Sequence, residues 1–128
     1  MRNPSALHEF AGLISFHKQK LFVHWIFLGL AGVFEIGFTA CLKMSNGFTR
    51  PWWSLTFILS AGISFIFLNL SIAVIPLGTA YAVWTGIGAA GTAVVGMMAF
   101  EEPVTRARII LIFALVAAVV GLKLVSVD

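Results

Sequence analysis

HWIFLGLAGVFEIGFTACLK, residues 24–43, holds one acidic side chain, Glu35, about midway along an otherwise apolar run. A run of about 20 apolar residues is long enough to cross a hydrocarbon core as a helix. A carboxylate at the centre of such a span costs about 2.5–3.5 kcal/mol on insertion scales. A side chain kept at that cost points to protons, ions or a cationic ligand. Glu35 is therefore the first candidate for a functional site.

The 128-residue chain is 60% hydrophobic and only 10% charged, with mean hydropathy +1.03. A soluble domain is about 45–50% apolar and about 25% charged, so composition places this chain in a membrane. Apolar stretches at 25–42, 53–75, 80–100 and 109–125 each approach the ~17–25 residues of a spanning helix. Asn46-Gly47, Pro51, Pro76-Leu77-Gly78 and Pro103 punctuate the joints. The connections are short, so neighbouring helices run antiparallel. The expected fold is an all-α membrane protein with four transmembrane helices per chain. Residues 25–128 form its transmembrane domain, with no room for a soluble one.

Residues 1–24 form a separate N-terminal extension. Asn3 suits a helix cap and Pro4 the first helical position. Leu7, Phe10, Leu13 and Ile14 fall on one helical face, and the apolar part is too short to span. A short helix lying on the membrane surface is expected. One early basic residue and no small-residue cleavage site argue against a signal peptide.

The net charge is +3 and the pI about 9.5. The basic residues lie at span ends, where they anchor to headgroups, and no basic patch with interleaved aromatics suggests nucleic acid. Cys41 is alone, so it forms no internal disulfide and reads as a small apolar filler. His8, His17 and His24 precede the first span and are too sparse for a ligand set, so neither metal nor cofactor is expected. No nucleophile–base pair is visible, which argues against an enzyme. Arg2, Lys18, Lys20 and Lys123 fall on one side of the membrane, and Lys43, Arg50, Arg106 and Arg108 on the other. A chain without charge bias can insert either way up, and two opposite copies can pack as an antiparallel, dual-topology homodimer. Four short helices enclose no water-filled path, whereas eight can.

Ala31 and Gly32 precede Glu35 by one turn and open space beside it; Phe38 and Thr39 follow by one turn, and Phe38 can wall it. Ser64, near mid-depth of the second span, can orient Glu35 by a hydrogen bond or bond back to its own helix. Asn69 can bond between helices. Tyr81 and Trp84 share a face and suit a small planar or quaternary cation, or anchor the span at the interface. Gly88, Thr92 and Gly96 recur every four residues, which allows close helix contact. Gly86, Gly88 and Gly91 weaken the third span, and a bend there would change which side is open. The fourth span carries Ala114, Ala118 and Ala117, Gly121 at four-residue spacing, suited to packing against its copy or the bundle. In a two-fold dimer each Glu35 meets its twin, and the two titrate as a coupled unit. Such a pair holds protons or a cation and binds one poorly while holding the other, which is what proton-coupled antiport needs. The expected partners are a small cationic substrate, protons and membrane lipid.

AGVFEIGF (31–38), LKMSNGFTR (42–50), Ser64-Phe65 and IPLGTAYAVWTGIGAAGT (75–92) closely resemble the small multidrug resistance family of four-helix bacterial transporters. The resemblance covers about residues 25–126. The last motif, the most specific, looks like the guanidinium-exporter subfamily rather than the polyaromatic-cation exporters, whose pattern there is nearer GIAYAIWSGVG. The resemblance implies antiparallel dimers in the bacterial inner membrane, proton antiport and a shared Glu, here Glu35. It implies that Gly32, Ser64, Tyr81 and Trp84 surround that Glu and a guanidinium or small substituted guanidinium ion. Export of quaternary ammonium or lipophilic cations by the same mechanism is the alternative. Phe38 departs from the subfamily, which usually has Trp there, so an indole N–H donor beside Glu35 is missing. The N-terminal extension is a second departure.

Overall fold

Four helices account for nearly the whole chain in the computed structural model, which describes residues 3–126. They are α1 (Pro4–Met44), α2 (Pro51–Ser71), α3 (Leu77–Ala99) and α4 (Arg106–Val125). All four are long and apolar enough to cross a membrane. Arg2, counted above on one side of the membrane, lies outside the described residues.

The helix ends follow local chemistry. Asn3 caps α1, its side-chain oxygen accepting from the Ser5 backbone N–H at 3.2 Å and from the Ser5 hydroxyl at 2.8 Å. Pro4 and Pro51 sit in the first turns of α1 and α2, where a missing N–H costs nothing. Between α1 and α2 the chain turns through Asn46, Gly47 and Phe48, all at positive φ (49°, 68° and 64°). Asn and Gly take that conformation easily. Phe48 does not, and its ring is held edge-on to Phe57 at 5.7 Å. Thr105 caps α4 by accepting from the Arg108 N–H at 3.2 Å.

Within the described residues, the stretch expected as a surface helix is helical from Pro4 onward. It continues into the first span as one helix of 41 residues. At 1.5 Å per residue α1 is about 62 Å long, roughly twice the ~30 Å hydrocarbon thickness. The physical reason is that no proline interrupts residues 5–50, and the backbone bonds carry through the junction. There the His24 ring meets the Lys20 carbonyl at 2.6 Å.

Helix α1 is the centre of the arrangement, packed on α2 along one side and α3 along another; α4 lies against α3. The core is a small cluster of Leu28, Ala31, Ile75, Ala80, Val83 and Trp84. Leu28 and Ala31 come from α1, and Ala80, Val83 and Trp84 from α3. Close approach is set by glycine. A Cβ on Gly32 would come 2.6 Å from Ile87 Cγ2. Gly86, Gly88 and Gly91, expected to soften α3, each receive a side chain: Val119, Glu35 and Ile36 respectively. No residue of α4 is buried within the chain. It reaches the core through Val119 and Leu122, and the Lys123 ammonium lies 5.5 Å from the centre of the Trp25 ring on α1.

Candidate functional site

Glu35 projects from the apolar half of α1 onto α3, where its carboxyl lies against Gly88 so closely that a Cβ there would overlap it. Only glycine leaves that space. Glu35 Oε2 is buried and has no hydrogen-bond partner. Burying a polar oxygen unpaired costs about 1–3 kcal/mol, and more when it is charged. The arrangement therefore favours whatever brings a proton or a donor to that oxygen.

Ser64 is fully buried where α1, α2 and α3 meet. Its hydroxyl donates to the Ala31 carbonyl at 2.6 Å and accepts from the Trp84 indole N–H at 3.0 Å. Neither expected partner is used: the hydroxyl bonds neither Glu35 nor its own helix. Its single proton is committed to the carbonyl one turn before Glu35, so it fixes the backbone that carries the acid. Asn69, expected to bond between helices, is exposed.

The aromatic residues form one wall. Phe38 stacks on Phe65 with ring centres 6.4 Å apart and meets Phe57 edge-on at 5.9 Å. Phe65 lies 5.4 Å from Trp84, and Trp84 5.7 Å from Tyr81. Trp84 is 7% exposed and oriented by Ser64, whereas Tyr81 and Phe65 are 56% and 53% exposed. The wall thus has a rigid inner member and two open outer ones, which suits the flat face or apolar body of a cation. Gly32 stands apart from it, pressed against Ile87 on α3.

Three features are not evident from sequence spacing alone. Gly88 cradles the acid, Phe65 bridges Phe38 to Trp84, and the hydroxyls of Thr39 and Thr92 meet at 2.7 Å. A signal existed for the last: Thr39 is four residues beyond Glu35, and Thr92 four beyond Gly88. Among the described residues no cluster of His, Cys, Asp and Glu has the makings of a metal site.

Residues 23–124 match the family profile described as Small Multidrug Resistance protein. A Guanidinium exporter of Yersinia pseudotuberculosis serotype I is 41% identical over 102 residues, covering 80% of this chain and 98% of the relative. Guanidinium exporters of Citrobacter freundii and Salmonella typhimurium are each 41% identical over 100 residues, covering 78% of this chain and 95% of each relative. Residues 1–22 lie outside the profile match.

Proposed function

The chain belongs to the Small Multidrug Resistance family, and from that premise we propose that it exports guanidinium or small substituted guanidinium ions in exchange for protons. It is a multi-pass protein of the bacterial inner membrane. The observation that carries the reading is the unpartnered, buried Oε2 of Glu35 at mid-span. A cation that donates hydrogen bonds satisfies that oxygen, and so does a proton, but not both at once. Each therefore displaces the other, and a protein that turns Glu35 from one side of the membrane to the other couples their movements. The protein acts as a transporter and performs no covalent chemistry.

Glu35 is the shared proton and substrate site. Tyr81, Trp84 and Phe38 offer ring faces to the ion, Gly32 keeps α1 close to α3, and Ser64 holds Trp84 and the α1 backbone in place. Guanidinium is planar, with donors around its rim, so it can lie flat on an aromatic ring while its edge meets a carboxylate. The working unit is an antiparallel homodimer. Balanced charge at the two membrane faces supports it, and so does α4, none of whose residues is fully buried within its own chain. Residues 4–24, the start of α1, belong at the lipid surface.

One observation favours a second reading, export of quaternary ammonium or lipophilic cations. With Phe38 and the open rings of Phe65 and Tyr81, the wall offers apolar area and few acceptors. Purified protein in liposomes, loaded in turn with guanidinium and a tetraalkyl ammonium, separates the two. Guanidinium-driven proton movement is expected. Proton movement with the tetraalkyl ammonium alone would hand the case to the second reading.

A further inference from the structure

Glu35 has a second polar neighbourhood, away from the aromatic wall. On α1, Glu35, Thr39 and Lys43 follow at four-residue spacing; on α3, Gly88, Thr92 and Gly96 do the same. The two rows meet. The Glu35 carboxyl lies on Gly88, and the Thr39 and Thr92 hydroxyls are 2.7 Å apart. Thr39 donates to the Ile36 carbonyl at 2.9 Å, which makes Thr92 the donor within the pair. Beyond the pair a cavity of about 150 Å³ opens, lined by Thr39, Thr92, Lys43, Gly96 and Glu102 among others. At one water per ~30 Å³ it holds a few water molecules. Glu102 lies over Gly96, where a Cβ would come 2.6 Å from its Oε2, and it pairs with Arg108 of α4. The charged groups that line this cavity are Lys43 from α1 and Glu102 from the α3–α4 connection, with Arg108 of α4 paired to Glu102; Arg50 and Glu101 lie in the connections at this end, Arg106 opens α4, and α2 carries none.

We propose that this cavity is a vestibule reserved for the proton, with the Thr39–Thr92 hydroxyl pair as a floor that passes protons to Glu35 and stops cations. The inference rests on the antiport reading above. Threonines at i and i+4 from the acid and its glycine cradle sit one helical turn away, with Cβ atoms about 5–6 Å apart along each helix. Thr92 takes a proton on a lone pair from the vestibule side and passes its own to Thr39, which turns its hydroxyl from the Ile36 carbonyl and releases its proton toward the carboxylate. One proton moves and only O–H bonds are made and broken; both hydroxyls then rotate back to restore the starting order. A guanidinium ion has no such exchange available, and the closed pair leaves it no path. Protons and substrate then reach one carboxylate by different doors.

The test uses full-length protein in liposomes with guanidinium as substrate, comparing Thr39→Val, Thr92→Val and the conservative Thr→Ser variants. The Val variants should slow guanidinium-driven proton exchange by roughly a hundredfold, the low end of what a positioned proton-transfer group contributes. Equilibrium guanidinium affinity should stay at the wild-type value, and Ser should restore the rate. Val variants that exchange protons at the wild-type rate overturn the proposal, as do variants that lose rate and affinity together. A second arm spares the hydroxyls: Val95→Cys, in a Cys41→Ala background, places a thiol in the vestibule wall. Its modification by a small methanethiosulfonate should slow proton exchange without changing affinity, and an unchanged rate overturns the proposal. Wild-type protein that moves no protons with guanidinium defeats the antiport reading itself, a distinct outcome.

Discussion

Gly88→Ala adds one methyl group where the Glu35 carboxyl now lies. The new Cβ would stand 2.8 Å from Glu35 Cγ and nearer still to the carboxyl carbon. Carbon atoms rest about 3.5–4.0 Å apart, so the acid must retreat by about 1 Å or more, or α1 and α3 must separate. Overpacking of this kind costs about 1–3 kcal/mol, and displacing a reacting group by about 1 Å can cost ~10²-fold in rate. Gly62→Ala is the control: its Cβ meets nothing within 4 Å, and Ala is the better helix former by about 1 kcal/mol. Both variants are purified, checked for helicity by circular dichroism and assayed for guanidinium-driven proton movement in liposomes. Gly88→Ala should fold yet lose most transport, while Gly62→Ala should resemble wild type. A Gly88→Ala protein that transports at the wild-type rate would show that the carboxyl does not need this seat.

Ser64→Ala orphans the buried Trp84 indole N–H and should destabilise the protein by about 1–3 kcal/mol in denaturant titration. Trp84→Phe in the same chain should recover about 1 kcal/mol, and strict additivity of the two losses would deny the bond a role. Reporters fused to the C-terminus should be found on both sides of the membrane, and two added lysines in one loop should lock them to one side; a one-sided wild type would point to a partner chain. Phe38→Trp restores an indole donor beside Glu35 and should raise the preference for guanidinium over alkylated guanidinium ions in competition transport; an unchanged ratio would mean that position 38 does not set selectivity.

The four spans were legible because a bilayer demands long apolar runs and because Pro and Gly mark their ends. Asn3 and Pro4 announced the start of α1 for the same local reasons. Near residue 24 the helix runs on unbroken. The short apolar face of residues 7–14 suggested a helix of its own, but no proline falls between residues 5 and 50 to break the backbone ladder. Within the site, Glu35 stood out because its solvation cost is visible in one residue. The partners of Ser64 did not, because they depend on how three helices are rotated about their axes, which no single-helix spacing determines. Gly88 was noted for its size, yet its occupant is a side chain from another helix. Thr39 and Thr92 are 53 positions apart, and only the packing of α1 on α3 joins them.

The central claim is that one carboxylate serves both ions. Glu35→Gln keeps the shape and removes the charge. Guanidinium binding and guanidinium-driven proton movement should be measured on the same purified, reconstituted Glu35→Gln protein beside wild type. Both should vanish in the variant while its helicity is retained. A well-folded Glu35→Gln protein that still exchanges guanidinium for protons would contradict the claim.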